Sequence, residues 1–146
     1  MKRFLIGSFL TIAFIGFCVL VSCEDKDGLG DPPDFNPGPH IVAQGGADTV
    51  IISKNDVDWR FLDLKINGKP VSFSDASIKV ESKKISHDGS EFVYLIKGDW
   101  FTIEKVDNRK IHFSMESNKD DKNRSIDVTI HAGNGFRTIS INQEAK

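Results

Sequence analysis

Residues able to act as bases, nucleophiles or metal ligands are sparse and poorly spaced in this 146-residue chain. The four histidines are His40, His87, His112 and His131, and none forms a close metal-ligand pair. His112 and His131 fall on the polar phase of alternating stretches, which makes them candidate neighbours on one exposed face. Asp25, Asp27, Asp31 and Asp34 imitate a calcium loop only loosely, because Gly28 follows Asp27 directly and no closing glutamate appears. Glu116, Asp120 and Asp121 border a second acidic loop, but Lys119 and Lys122 interleave there, as in a solvated turn. No G-x-S-x-G elbow, phosphate loop, H-E-x-x-H or S-x-x-K element is present. The expectation is a chain with no catalytic residues, no metal and no cofactor.

The two cysteines point elsewhere. Met1, Lys2 and Arg3 precede an apolar run from Phe4 to Val21, interrupted only by Ser8 and Thr11. A basic start followed by an apolar run is how a secretory signal begins. Its 18 residues would span about 27 Å as a helix, so length alone leaves a permanent anchor open. The end of the run is more telling. Leu20-Val21-Ser22-Cys23 resembles the bacterial lipobox, a small residue followed by cysteine. That resemblance implies lipid transfer to the Cys23 sulfur, removal of residues 1–22 and acylation of the new amino terminus. Anchoring by several acyl chains is physically sensible, since one chain binds a membrane only marginally. Cys18 would leave with the signal, so the processed chain has no thiol left for a disulfide or a cysteine metal site. The acidic start Glu24-Asp25-Lys26-Asp27-Gly28 resembles the export signal of surface-exposed Bacteroidetes lipoproteins. It implies the outer face of the outer membrane, with a periplasm-facing lipoprotein as the alternative.

Residues 23–39 hold four of the five prolines and read as an acidic, Pro/Gly-rich tether. Proline removes donors and glycine weakens regular structure, so the segment is unsuited to a sheet ladder. Residues 40–146 are one domain's worth of chain. Without Lys2 and Arg3 the basic side chains number 17 against 21 acidic, a formal charge of −4. That balance gives no reason to expect nucleic acid or an anionic membrane surface as partner.

Short alternating runs dominate the domain. Ile126, Val128 and Ile130 share one phase, as do Ile111, Phe113 and Met115, Ile139 and Ile141, Ile78 and Val80, Val50 and Ile52, and Phe101 and Ile103. Period two over a few residues predicts half-buried strands. Phe92 to Ile96 is apolar on both phases, as in a central strand. From Trp59 to Ile66 the phase switches between Phe61 and Leu62, which predicts a β-bulge. Asn67-Gly68 is the strongest hairpin signal, and Asp88-Gly89 and Asn134-Gly135 act similarly. About eight to ten short strands spaced by turns predict an all-β sandwich.

The order of residues at the C-terminal end adds a family resemblance. Trp100-Phe101-Thr102-Ile103 is followed by an alternating strand, Asn118, the run Arg124-Ser125-Ile126-Asp127-Val128, a turn, and Thr138 to Gln143. This order resembles the BACON domain, common in lipoproteins and polysaccharide-degrading proteins of Bacteroidetes. Asn118, Arg124 and Gln143 match the family's Asn, strand-opening Arg and closing Gln, and Val50 to Trp59 lies where the family has an earlier strand and tryptophan. Asp107-Asn108 stands where the family usually has a glycine turn, and Trp59 and Trp100 are further apart than usual. An extra hairpin near Asn67-Gly68 and Asp88-Gly89 would fill that gap. The resemblance implies an immunoglobulin-like β-sandwich and either carbohydrate binding or a spacer role.

Sugar binding would use exposed rings. Phe136, beside Asn134, and Phe73 are the candidates for exposure, with Trp59 as a further candidate; Trp100 is expected in the core. Asp48-Thr49-Val50 fits a short glycosylation motif of exported Bacteroidetes proteins, with Thr49 as acceptor. The resulting expectation is a non-enzymatic, lipid-anchored binding or adhesion module for glycans or mucin. The alternative is a structural or protein-interaction subunit of an outer-membrane complex. The glycan reading requires a cluster of exposed aromatics; the interaction reading requires an apolar patch or an open, uncharged sheet edge.

Overall fold

The alternating runs form strands that stack as two sheets with their apolar phases facing inward. The computed structural model describes residues 31–84 and 89–146. The signal segment, Cys23 and the acidic run after it lie outside these residues, as do His87 and Asp88. Among the described residues no helix is long and apolar enough to cross a membrane.

Ten strands are described: β1 (His40–Val42), β2 (Ala47–Ile52), β3 (Arg60–Ile66), β4 (Lys69–Pro70), β5 (Lys79–Lys84), β6 (Glu91–Lys97), β7 (Phe101–Asp107), β8 (Lys110–Met115), β9 (Arg124–Ala132) and β10 (Gly135–Gln143). They make two five-stranded sheets, ordered β1-β10-β9-β3-β4 and β2-β8-β7-β6-β5. Pairing is antiparallel except where β1 runs parallel to β10. The described residues thus form an all-β sandwich, as the alternation predicts.

Ile103, Ile111, Ile126, Val128, Ile130 and Ile139 are fully buried between the sheets. Register shifts interrupt three ladders. Leu62 is the extra residue on β3, Tyr94 on β6 and Val106 on β7. The first is the bulge predicted from the phase switch at Phe61 and Leu62. On β3 and β6 the extra residue lets both flanking segments keep their apolar phase inward. Asn67 and Gly68 both have positive φ and close the β3–β4 hairpin as predicted. At the β9–β10 hairpin the two-residue turn is Gly133-Asn134, one position earlier than expected, because Ala132 pairs with Gly135 and takes Gly135 into the strand.

The tether reading needs correction for residues 31–39. Phe35 is fully buried and meets Trp59 edge-on, with ring centroids 5.7 Å apart. The Lys54 and Ser140 amides donate to the carbonyls of Asp34 and Pro37, and the Asp34 amide donates to Asn55 Oδ1. Prolines keep this stretch out of the ladders, but they do not prevent one aromatic ring from plugging the end of the sandwich.

Candidate functional site

Trp59 is fully buried and cannot serve as a binding platform. Its ring contacts Phe35 and Phe61 edge-on, and its indole N–H donates to the Asn108 carbonyl at 2.9 Å. Phe73 is half-buried and packs against the core rather than standing free. Trp100 also packs against the core, only half-buried, with Arg124 5.1 Å from its ring centre. Phe136 is exposed as expected, at 58 %. It stacks on His131 with centroids 6.3 Å apart, beside the exposed Asn134. The structure therefore does not gather the proposed aromatics into one exposed cluster. His112 and His131 are not neighbours either: β8 carries one and β9 the other, in different sheets.

His112 instead bonds Asp48 on β2 and lies 3.9 Å from Glu104 on β7. Among the described residues no group of three or more His, Cys, Asp or Glu side chains is placed to hold a metal ion.

The residues behind the family resemblance share a structural task at one end of the sandwich. Asn118 and Gln143 are fully buried. Asn118 Nδ2 donates to the carbonyls of Lys122 and Glu144, and its Oδ1 accepts from the Asp120 amide. Gln143 Nε2 donates to the Glu116 carbonyl at 2.7 Å. Arg124 adds an ion pair with Asp120 at 3.0 Å. These side chains satisfy loop carbonyls that packing removes from water.

The two flanks of the sandwich differ most. On one flank, β3 approaches β6, and a buried lysine bridges the sheets. Lys105 lies on the apolar phase of β7, after Phe101 and Ile103. Its ammonium donates to Asp58 Oδ1 at 2.8 Å and to the Trp59 carbonyl at 2.6 Å. It also lies 4.7 Å from the Trp59 ring centre and 5.2 Å from that of Phe92. Burial pushes the Lys105 ammonium below the usual lysine range, against the opposing pull of Asp58. Desolvation works to raise the Asp58 carboxyl, but hydrogen bonds and charge from Arg60 and Lys105 hold it below its usual range. The alternation of β7 already marked Lys105 as inward-facing; sequence reasoning passed over it because lysine is seldom buried. Outside this bridge, β5 ends its sheet with Lys79, Glu81, Lys83 and Lys84. Lys79 pairs with Glu81 at 2.7 Å, and the Lys83 ammonium sits 4.0 Å over the Tyr94 ring.

On the opposite flank, between β1 and β2, the sheets stay apart. A groove of about 260 Å³ opens there, lined by Ile41, Val42, Thr49, Ile51, Phe113 and Met115 among others. Asp48 is the one charged residue of β2, and Val50 and Ile52 are 48 % and 57 % exposed. The Ser53 amide donates to the Arg109 carbonyl across the β2–β8 pair. Antiparallel ladders alternate, so the backbone groups of Asp48, Val50 and Ile52 point away from β8 toward the open side. The open stretch stops at Lys54, whose amide is taken by the Asp34 carbonyl. Thr49 is exposed and lines the groove. The pairing of Val50 with Ile52 was visible in the sequence, but the position of this strand at a sheet edge was not.

No family model matches the chain, and no curated protein matches it. Among solved structures it is similar to one titled "NMR structure of the protein from Bacteroides thetaiotaomicron". The two are 21 % identical with a TM-score of 0.59, over 84 % of this chain and 94 % of the other. At that identity the likeness shows the fold: a β-sandwich.

Proposed function

We propose that this protein is a non-catalytic, lipid-anchored interaction module of the bacterial cell envelope, held by Cys23 and docking another polypeptide along β2. The observation that carries this reading is the open, nearly uncharged edge of β2, with Val50 and Ile52 exposed beside an apolar groove. Such an edge offers unpaired donors and acceptors, and an added strand satisfies them while side chains give selectivity. The lipobox-like Leu20 to Cys23 and the acidic run behind it support an outer-membrane location, with the surface face first and the periplasmic face second. The BACON-like order of Trp100, Asn118, Arg124 and Gln143 fits a module of this kind. A glycan on Thr49 would stand in the groove and compete with docking.

The test is substitution of Val50 or Ile52 by lysine in the full chain. Complexes resolved from gently solubilised envelopes should weaken at least about tenfold, with the unfolding midpoint nearly unchanged because both sites are exposed. Unchanged complexes would remove the β2 reading. A second reading is glycan adhesion through Phe136 stacked on His131 beside Asn134. It expects binding on a glycan array that Phe136→Ala abolishes, and an array without any bound glycan counts against it.

A further inference from the structure

Resting on the interaction reading, we infer that the polypeptide added to β2 is a second copy of this chain, paired antiparallel about a two-fold axis through Val50. Three residues on each copy, Asp48, Val50 and Ile52, offer outward backbone groups. Antiparallel pairing centred on Val50 sets Val50 against Val50 and Asp48 against Ile52, so all three residues of each copy find partners. It ends before Lys54, where Asp34 already occupies the edge.

The charges fit the same register. The second copy's Asp48 sits opposite Ile52 and diagonally across from Lys54. Asp48 and Lys54 side chains are 77 % and 83 % exposed, and the new contact competes with their present partners, His112 and Asp34. The reciprocal contact repeats on the other side of the axis, as a two-fold interface requires. Parallel pairing of identical strands would set Asp48 on Asp48. On the outer face, Ile52 and Val50 of each copy then form one apolar strip across the axis. Facing inward, Thr49 and Ile51 of one copy adjoin the groove of the other. An edge contact of this size is weak in dilute solution, and confinement of both copies to one surface raises their effective concentration.

The experiment is thiol oxidation in cells producing the full chain with Val50→Cys. The parent chain sets the background for its own cysteines, and Lys83→Cys reports the opposite edge. In a hydrogen-bonded antiparallel pair the two Cα atoms lie about 5.5 Å apart, within disulfide reach. The expected result is a homodimer at twice the mass, about tenfold above both controls. A Val50→Cys adduct with a different protein overturns self-pairing but keeps the interaction reading. No adduct of either kind overturns both.

Discussion

The two flanks of this sandwich solve the same problem in opposite ways. Where β3 meets β6, Lys105, Asp58 and the Trp59 carbonyl tie the sheets together, and β5 outside them carries four charged residues out of six. Lysine-rich edges resist pairing with other chains, because docking would strip water from each ammonium. Where β1 meets β2, no comparable bridge is described, the groove is apolar, and β2 carries one charge. One molecule thus has a protected edge and an unprotected edge of the same sheet. The exposed side of β2 is therefore not a general looseness of a small domain. Within this one sheet, charge is concentrated on the β5 edge and nearly absent from the β2 edge.

The largest expected effect breaks the boundary of the open edge. Phe35→Ala empties a fully buried site against Trp59 and should cost about 3–5 kcal/mol in urea unfolding. It should also loosen Asp34 from Lys54, lengthening the open edge and increasing self-association of the fraction that stays folded. Wild-type stability in this variant would show that residues 31–39 are only a tether.

A smaller effect targets the bridge of the closed flank. Asp58→Ala leaves the buried Lys105 ammonium without its carboxylate. Since Asp58 is itself more than half in water, the loss should be about 1–2 kcal/mol. The pH dependence follows from the directions of both shifts. Asp58 is held low in the folded state, so its contribution is present above the ordinary aspartate value and fades as acid titrates it below. Lys105 is held below the ordinary lysine value of about 10.4, so the unfolded chain binds more protons in the alkaline window. Stability from this site should therefore rise between the lowered folded value and the ordinary one. Thermal unfolding of wild type and Lys105→Met across alkaline pH checks it: the wild-type rise should be missing in the variant.

The smallest effect on folding is the one that most sharpens the contrast between edges. Lys83→Val with Lys84→Val should leave stability within about 1 kcal/mol, since both side chains are exposed. It should nevertheless create concentration-dependent association through β5, read by light scattering. A double variant that stays as dispersed as the parent would show that these lysines do not protect the edge.

Much of the fold was legible in the alternation of apolar residues. The period-two runs gave the strands, the phase switch at Phe61 and Leu62 gave a bulge, and Asn67-Gly68 gave a turn, because all are local backbone signals. What failed was non-local. Phe35 sits among prolines, and only the packed end of the sandwich reveals the cavity it fills. Trp59 is a candidate as an aromatic, but its burial depends on Phe35 and Lys105 arriving from two other segments. His112 and His131 share a polar phase, yet strand order sends them to different sheets. The candidate surface was the least legible part. Val50 and Ile52 read as ordinary strand residues, and an edge exists only once all neighbours are placed.

The central claim is that the outward backbone of β2 is the docking surface. Amide hydrogen exchange on the full chain, compared between dilute detergent solution and its own envelope, tests it most directly. Asp48, Val50 and Ile52 should exchange fast in dilute solution and slow markedly in the envelope, with β5 exchanging alike in both. Equal exchange of the β2 amides in the two states would contradict it.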